Sequence, residues 1–308
     1  MEIHDKRSMG GPNQKTLVGG VMVLYNPESN IKDNVESIIS QVSILLIVDN
    51  SAEDHSYVFK EFSNVVYKPL LQNVGIAKAQ NIALKYLSDF HVSYVLFIDQ
   101  DSVPSPKLVT HLLSTNEWLN SQGIKVGAVA PLGIDVFTGQ PFNYDSVSVG
   151  EINHCTHHLI EVFQTMSSMS LVSMNTLKTC GLMRDTLFID GVDSEWCWRA
   201  SYIDGSRHFY DRDVTMQHTL GLNNYKITHH NIHITPPFRL YYQIRNYIWL
   251  SKLNYTPAKW KRTNGLKYIT KFFFYTIFGP NRKLYLKNIF KGLKDGIKGE
   301  PITPNTQL

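Results

Sequence analysis

Residues 94–102 read YVLFIDQDS, and the reading of this stretch decides the fold. Tyr94 to Ile98 form an apolar run with no polar interruption. A strand with one wet face alternates, whereas an unbroken run is a strand covered on both faces. The run stops at Asp99-Gln100-Asp101. Two carboxylates two positions apart, in a loop at a strand end, can both reach one divalent cation, and hard oxygen ligands suit Mg²⁺ or Mn²⁺. The same residues, followed by Ser102 and Pro104, also suit a turn that caps the next helix.

Working outward, residues 17–24 (LVGGVMVL) and 43–48 (SILLIV) are runs of the same kind, ending at Tyr25-Asn26-Pro27 and Asp49-Asn50-Ser51. Short strands are expected at Val65–Tyr67 and Val126–Ala130. Apolar spacing predicts helices over 29–40, Tyr57–Phe62, Gly75–Leu87 and Ser105–Leu119. This alternation predicts an α/β fold with a parallel sheet covered on both faces, and ligands in such sheets bind outside the carboxyl ends of the strands. The later half is less regular. One or two strands are expected within 160–174, a turn into a helix over Phe188–Arg199, and a return strand at Arg207–Tyr210. Helices are expected over Tyr241–Leu253, Lys267–Phe278 and Tyr285–Leu293.

Composition narrows the class. With 308 residues and 43% hydrophobic residues, the chain can bury a large α/β core. Its three cysteines form no CxxC pair, so neither a disulfide framework nor a cysteine-held zinc site is expected, and a reducing compartment fits. The opening MEIHDKRSMGGPNQK is polar, without the apolar segment of a signal peptide, and no run reaches the roughly 18–20 apolar residues of a membrane span. Charge is unevenly placed: from residue 214 onward there are 15 Lys/Arg against 2 Asp/Glu, while the preceding residues carry a net −9. Such a basic segment suits nucleic acid or an anionic membrane surface. Interleaving with Trp260, Phe272–Phe274, Tyr275 and Phe278, and the lack of a nucleic-acid-binding motif, favour the membrane interface.

Seven segments in order, VMVLYNP (21–27), ILLIVDNSAED (44–54), NVGIAKAQNIAL (73–84), YVLFIDQDS, GVDSEWCWR (191–199), QHTLG (217–221) and RLYYQIRN (239–246), resemble the motifs of family 2 glycosyltransferases, which have the GT-A nucleotide-diphospho-sugar transferase fold. The likeness spans roughly residues 17–250, and the combination is most similar to bacterial rhamnosyltransferases that use dTDP-L-rhamnose. The resemblance implies a polar N-terminal extension (1–16), a catalytic domain (17–235) with a nucleotide-binding half (17–130) and an acceptor half (131–235), and a basic, aromatic helical C-terminal region (236–308). It implies inverting transfer to a lipid-linked oligosaccharide acceptor in O-antigen-like polysaccharide assembly, by a cytoplasmic protein held peripherally at the inner face of the membrane, with no nucleic-acid partner.

The site residues follow from the same likeness. Asp101 takes the direct metal-ligand position, Asp99 sits nearer the ribose and metal shell, and His218 completes the metal site. Asp193 is the base, although the family's Glu-Asp is Val192-Asp193 here. Asp49 reads the nucleobase, Tyr25 and Asn26 flank it through the backbone, and Gln100 belongs to the same nucleotide-sugar set. Asn73 and Gly75 open a helix whose amides face the nucleotide, and Lys78 approaches the diphosphate. Glu195 touches the acceptor or pairs with Arg199 at i, i+4. Arg245 binds a diphosphate at the site rim, beside Asn246 and near Arg239. From the residues alone, plainer roles stand beside these: Asp193 as a helix cap, Asp49 in an Asx-turn, His218 in packing, Lys78 solvated, Arg245 packed beneath the tail. A UDP-sugar donor keeps the same mechanism. A nucleotidyltransferase would want a basic Gly-rich first loop, which VMVLYNPES lacks, and a non-catalytic binding module would not need Asp99, Asp101, Asp193 and His218 together.

Overall fold

A computed structural model describes residues 16–218, 224–227, 230–279 and 281–299. The N-terminal extension therefore lies outside the described residues except for Thr16, as do Thr219–Gly221 of QHTLG. The first half alternates strand and helix: β1 (Val18–Leu24), α1 (Ile31–Ile39), β2 (Ile44–Asp49), β3 (Val65–Pro69), α2 (Ile76–Leu87) and β4 (Tyr94–Asp99). Next come β5 (Val103–Pro104), α3 (Leu108–Ser121), β6 (Val126–Asp135), β7 (Ser148–His154), β8 (His157–Val162), β9 (Leu171–Ser173), α4 (Met174–Cys180) and α5 (Val192–Asp204). β10 (Arg207–His218), the pair β11 (Asn224–Ile227) and β12 (His230–His233), and the helices α6 (Pro237–Ser251), α7 (Ala258–Ile277) and α8 (Arg282–Lys298) complete the chain.

The main sheet runs β3-β2-β1-β4-β9-β6-β10-β8-β7, with β5 beside β10. β1 pairs in parallel with β2 and β4, and β2 with β3, as the unbroken apolar runs predict. The sheet is not parallel throughout: β9 runs antiparallel between β4 and β6, and β7–β8 form an antiparallel hairpin at the far edge. Both faces are covered. Leu46, Val48 and Phe97 enter one core with Leu84, Trp196 and Trp249, while Leu45, Ile47 and Leu96 enter the other with Ile38, Leu112 and Phe209. Successive strand residues point to opposite faces, so both must be apolar.

Three local expectations are corrected. Residues 56–58 form a single 3₁₀ turn instead of a helix through Phe62, because the chain is held there by side-chain bonds: Asp54 accepts the Ser56 N–H, and Tyr67 accepts the His55 N–H. Helix α3 starts at Leu108 and not Ser105, since Val103–Pro104 pair with β10 and Pro106 disfavours helix at the residue before it. β7 and α4 were not expected at all.

Helix α6 packs on both sides. Trp249 and Leu250 join the core that holds Val48 and Phe97, while Leu240 and Ile244 join Tyr275, Tyr285 and Ile289 of α7 and α8. α8 approaches α6 closely because Gly292 and Gly296 face it: a Cβ at Gly292 would lie 2.8 Å from the Tyr241 carbonyl oxygen. Gly292→Val is accordingly expected to lower stability by about 1–3 kcal/mol through overpacking, despite the better helix propensity of valine, read as the urea midpoint at constant slope. An unchanged midpoint would refute so close a crossing.

Candidate active site

The register of β1 with its neighbours sets Leu24 beside Asp49 and Val23 beside Asp99. The loops after β1, β2 and β4 therefore emerge together at the carboxyl edge. Gln100 faces the first of them. Its Oε1 accepts the Tyr25 N–H at 2.8 Å and its Nε2 donates to the Tyr25 carbonyl at 3.3 Å, while Asn34 of α1 donates to the Gln100 carbonyl. Gln100 is thus a clamp on the Tyr25 backbone. Asn26, at a positive φ of 45°, donates its N–H to Ser51 Oγ. Tyr25 is exposed at the mouth.

Asp49 is fully buried, and both its oxygens are engaged: Oδ1 accepts the Ser51 N–H, and Oδ2 accepts the Tyr67 hydroxyl and lies 2.7 Å from His55 Nδ1. Burial alone would push its carboxyl up, but the bonds from Ser51, Tyr67 and His55 outweigh it and hold the carboxyl below its usual range. The structure thus gives Asp49 the task of ordering the loop 49–55, and a base reaching it would have to displace a partner.

Asp99, Asp101 and His218 bring one ligand atom each to within 4.8 Å of one another. His218, at the end of β10, is held by Ser102 Oγ at 2.9 Å from its Nδ1, and Ser102 in turn by Ser168 at 2.6 Å. No sequence signal joins Ser102 and Ser168 to His218, which lies 116 positions after Ser102. Burial pushes the Asp99 carboxyl up to about 6; His218 opposes this, and the charges of Asp101 and Asp193 add to it. Two carboxylates and an imidazole gathered this closely, with ionisation of Asp99 made costly, fit a divalent cation.

Asp193 lies in the first turn of α5, entered through Phe188, Asp190 and Gly191, all at positive φ. Its Oδ1 accepts the Ser194 N–H at 2.8 Å and its Oδ2 the Ser167 N–H at 3.3 Å. Burial raises its pKa, those two N–H bonds oppose the rise, and the Asp190 charge adds to it. Arg239 makes a forked ion pair with Asp190 at 2.9–3.2 Å and also feels the charges of Asp193 and Asp99.

The remaining expected residues divide. Asn73 accepts the Gly75 N–H and an Asn50 N–H, closing the loop before α2. Gly75 sits at φ 87°, where a Cβ would lie 2.6 Å from the Phe188 ring, and the Ile76 amide donates to the Phe188 carbonyl. That amide of the α2 N-terminus therefore faces the loop that leads into Asp193. Lys78 is exposed, and its charge acts on Asp185.

Glu195 and Arg245 are corrections. Glu195 is 0% exposed and accepts from Arg199, Arg184 and the Tyr255 hydroxyl at 2.7–3.3 Å, so it cannot meet an acceptor. Burial would raise its pKa, but the charges of Arg199 and Arg184 hold it low. Arg245 is buried too, donating to the carbonyls of Thr186 and Leu187 and stacking on Trp249 at 4.2 Å. Asn246 donates to the carbonyls of Leu187, Ile189 and Asp190. The pair holds the backbone that leads into Asp193.

Comparison with known proteins supports the fold. The profile of Glycosyl transferase family 2 matches residues 21–165. The dTDP-rhamnosyl transferase RfbF of Shigella flexneri is 30% identical over 245 residues, 77% of this chain and 80% of that protein. S. aureus TarS 1-349 in complex with UDP-GlcNAc superposes with a TM-score of 0.56 at 15% identity, covering 92% of this chain and 81% of that one. GalNAc-T7 with UDP, GalNAc and Mn2+ gives a TM-score of 0.54 at 13% identity, over 84% and 56%. At these identities the two structures speak for the GT-A fold alone.

Removing Glu195 leaves Arg184, Arg199 and Tyr255 around a vacated centre. Glu195→Ala should cost about 3–5 kcal/mol of stability, the usual result of breaking a buried ion pair from one side, measured by urea unfolding. Wild-type stability with only acceptor affinity lost would restore the acceptor role.

Proposed function

The chain belongs to glycosyl transferase family 2, and on that premise we propose that it moves L-rhamnose from dTDP-L-rhamnose to a lipid-linked oligosaccharide, inverting the anomeric carbon, in O-antigen-like surface polysaccharide assembly. The observation that carries the reading is the convergence of Asp193 with Asp99, Asp101 and His218 at one edge of the sheet, near enough for Asp193 and Asp101 both to oppose ionisation of Asp99. The 30% identity to a dTDP-rhamnosyl transferase supports the donor.

In this reading the acceptor hydroxyl oxygen bonds to the anomeric carbon as the bond from that carbon to the diphosphate oxygen breaks, and the hydroxyl proton passes to Asp193. A carboxylate whose pKa is raised by burial is the stronger base. The bonds from Ser194 and Ser167 fix its orientation. Mg²⁺ or Mn²⁺ held by Asp99, Asp101 and His218 would supply Lewis-acid stabilisation to the departing diphosphate. Tyr25, Asn26 and Asn73 line the donor side, Gln100 fixes the Tyr25 backbone, and Asp49 orders the loop 49–55 beside them.

The C-terminal helices support a peripheral place at the inner membrane face. Among the described residues no helix is long and apolar enough to cross a membrane. Helix α7 nevertheless exposes Leu266, Ile269, Phe273 and Ile277, spaced three or four residues apart on one face and each 49–66% exposed. Lys259, Lys261, Arg262 and Lys267 share that helix. An apolar stripe among cations suits an anionic bilayer surface, where each cation adds about 1 kcal/mol.

Four outcomes are expected. Calorimetry should show metal-dependent binding of dTDP-L-rhamnose, lost in Asp101→Ala; preference for a UDP-sugar would discard rhamnose. Asp193→Asn should lower kcat by about 10²–10⁴-fold, and the acid limb of wild-type kcat/KM should lie above the ordinary aspartate range. Because the folded pKa of Asp193 is above its unfolded value, its contribution favours folding at low pH and declines as pH rises through the folded pKa. Asp193→Asn should therefore match or exceed wild-type stability at pH 8 while its kcat stays lowered. Leu266→Ser with Phe273→Ser should weaken sedimentation with phosphatidylglycerol vesicles; unaltered sedimentation would refute the α7 surface.

A further inference from the structure

A second cluster of ligating side chains lies away from the transfer site and takes no part in it. His111 of α3 and Asp211 and Asp213 of β10 each bring one ligand atom to within 4.8 Å of the others. Asp213 precedes His218 by five residues along β10. The β10 backbone is irregular here, with its register against β6 shifting between Asp211 and Thr215.

The cluster is built. Asp211 is fully buried; its Oδ2 accepts the Thr115 hydroxyl of α3 at 2.6 Å and its Oδ1 the Asp213 N–H at 2.9 Å. Asp213 is fixed by His158, which donates its backbone N–H at 3.0 Å and places Nδ1 at 2.8 Å. His111 Nε2 stands 3.2 Å from Asp211 Oδ2, yet makes no aligned hydrogen bond among the described residues. A fourth group borders the cluster independently. His157, at the start of β8, is 7% exposed and stacks on Trp118 of α3 at 4.5 Å. Its Nδ1 is enclosed and makes no hydrogen bond among the described residues, and the charges acting on the ring are those of Asp211, His111, His154 and Asp213. An enclosed imidazole nitrogen without a proton partner is uncommon in a folded protein, where buried polar atoms are normally paired.

We propose that His111, Asp211 and Asp213, with His157 beside them, form a second divalent-cation site, selective for a borderline ion such as Zn²⁺, that fastens α3 to β10 and the β7–β8 hairpin. Mixed imidazole and carboxylate donors suit Zn²⁺, whereas Mg²⁺ and Ca²⁺ favour oxygen alone. His158 orients Asp213 as outer partners commonly orient metal-bound carboxylates. The ligands come from separate elements, so an ion bound only by the folded chain raises its stability. None of this depends on the donor or the reaction.

The test uses the full chain carrying Asp101→Ala, which removes the ligand contributed by that residue to the other cluster, freed of metal by chelation. Titration with Zn²⁺ should give one equivalent bound, Co²⁺ should give the visible bands of a low-coordinate site, and Zn²⁺ should raise Tm. Adding His111→Gln, or separately Asp213→Asn, should weaken Zn²⁺ binding by about 100-fold or more and abolish the rise, while His158→Ala should weaken it by the about 10–100-fold typical of outer partners. His111 and Asp213 are at least partly exposed, and circular dichroism without metal verifies that both variants fold. Failure of the Asp101→Ala protein to bind Zn²⁺ or Co²⁺, or equal binding by His111→Gln and Asp213→Asn, overturns the proposal.

Discussion

Asp99 is held where burial and the negative charges of Asp101 and Asp193 all oppose its ionisation. Much of the surrounding structure serves to keep that arrangement in place. Like charges in a partly desolvated edge repel, and they persist only when the scaffold over-determines their positions. The parallel register delivers Asp99 beside the loops of β1 and β2. Ser102 and Ser168 fix His218 against the acidic pair. Asp193 stands in the first turn of α5, where the helix dipole favours its anion, and Arg239 adds a positive field from the other side. The electrostatic cost at the edge is also what makes the site receptive to a cation.

The second constraint is the backbone that carries Asp193. Residues 188, 190 and 191 all take positive φ, a conformation unfavourable for Phe188 and Asp190. Arg245 and Asn246 fasten the carbonyls of Leu187, Ile189 and Asp190 around them, and Asn81 reaches from α2 to the Met183 backbone and the Asp185 carboxylate. Glu195 then fixes the first turns of α5 to Arg184, Arg199 and Tyr255. Each network is buried and satisfied on several sides, so its members resist independent motion. A motif that is short in sequence is thus held by residues 50 or more positions later.

This explains what the sequence made legible. β1, β2 and β4 stand out because both their faces are buried, which forces unbroken apolar runs, and DQD stands out because it ends one of them. The pairing of Glu195 with Arg199 follows from i, i+4 spacing; the burial that excludes an acceptor does not, since it depends on Tyr255 and Arg184 arriving from elsewhere. Arg245 was read as a phosphate fork, and its fork does meet oxygens, but they are backbone carbonyls. β7 is largely exposed at an edge and carries no apolar run to mark it. Apolar spacing suggested a helix over Tyr57–Phe62, yet the contacts of His55 with Asp49 and Tyr67 govern that segment. The cysteine count argued against a cysteine-held zinc site and was silent on His111, Asp211 and Asp213, which only the fold assembles.

Helix α6 joins these constraints to the C-terminal region. One side of it sits in the catalytic core through Trp249 and Leu250 and grips the loop before Asp193; the other side is the floor on which α7 and α8 pack. Gly292 and Gly296 let α8 approach the backbone of Tyr241 and Arg245 itself, and Tyr241 donates to Asp295 across the same crossing. Helix α7, which presents the exposed apolar stripe, is therefore packed on the helix whose residues aim the proposed base. In the proposed reading, attachment of α7 to a bilayer would do more than raise the local concentration of acceptor. It would fix the angle at which the Asp99–Asp193 edge faces the membrane, so that a lipid-held hydroxyl meets Asp193 from a defined side. A flexible tail with the same charge would provide the concentration without the angle.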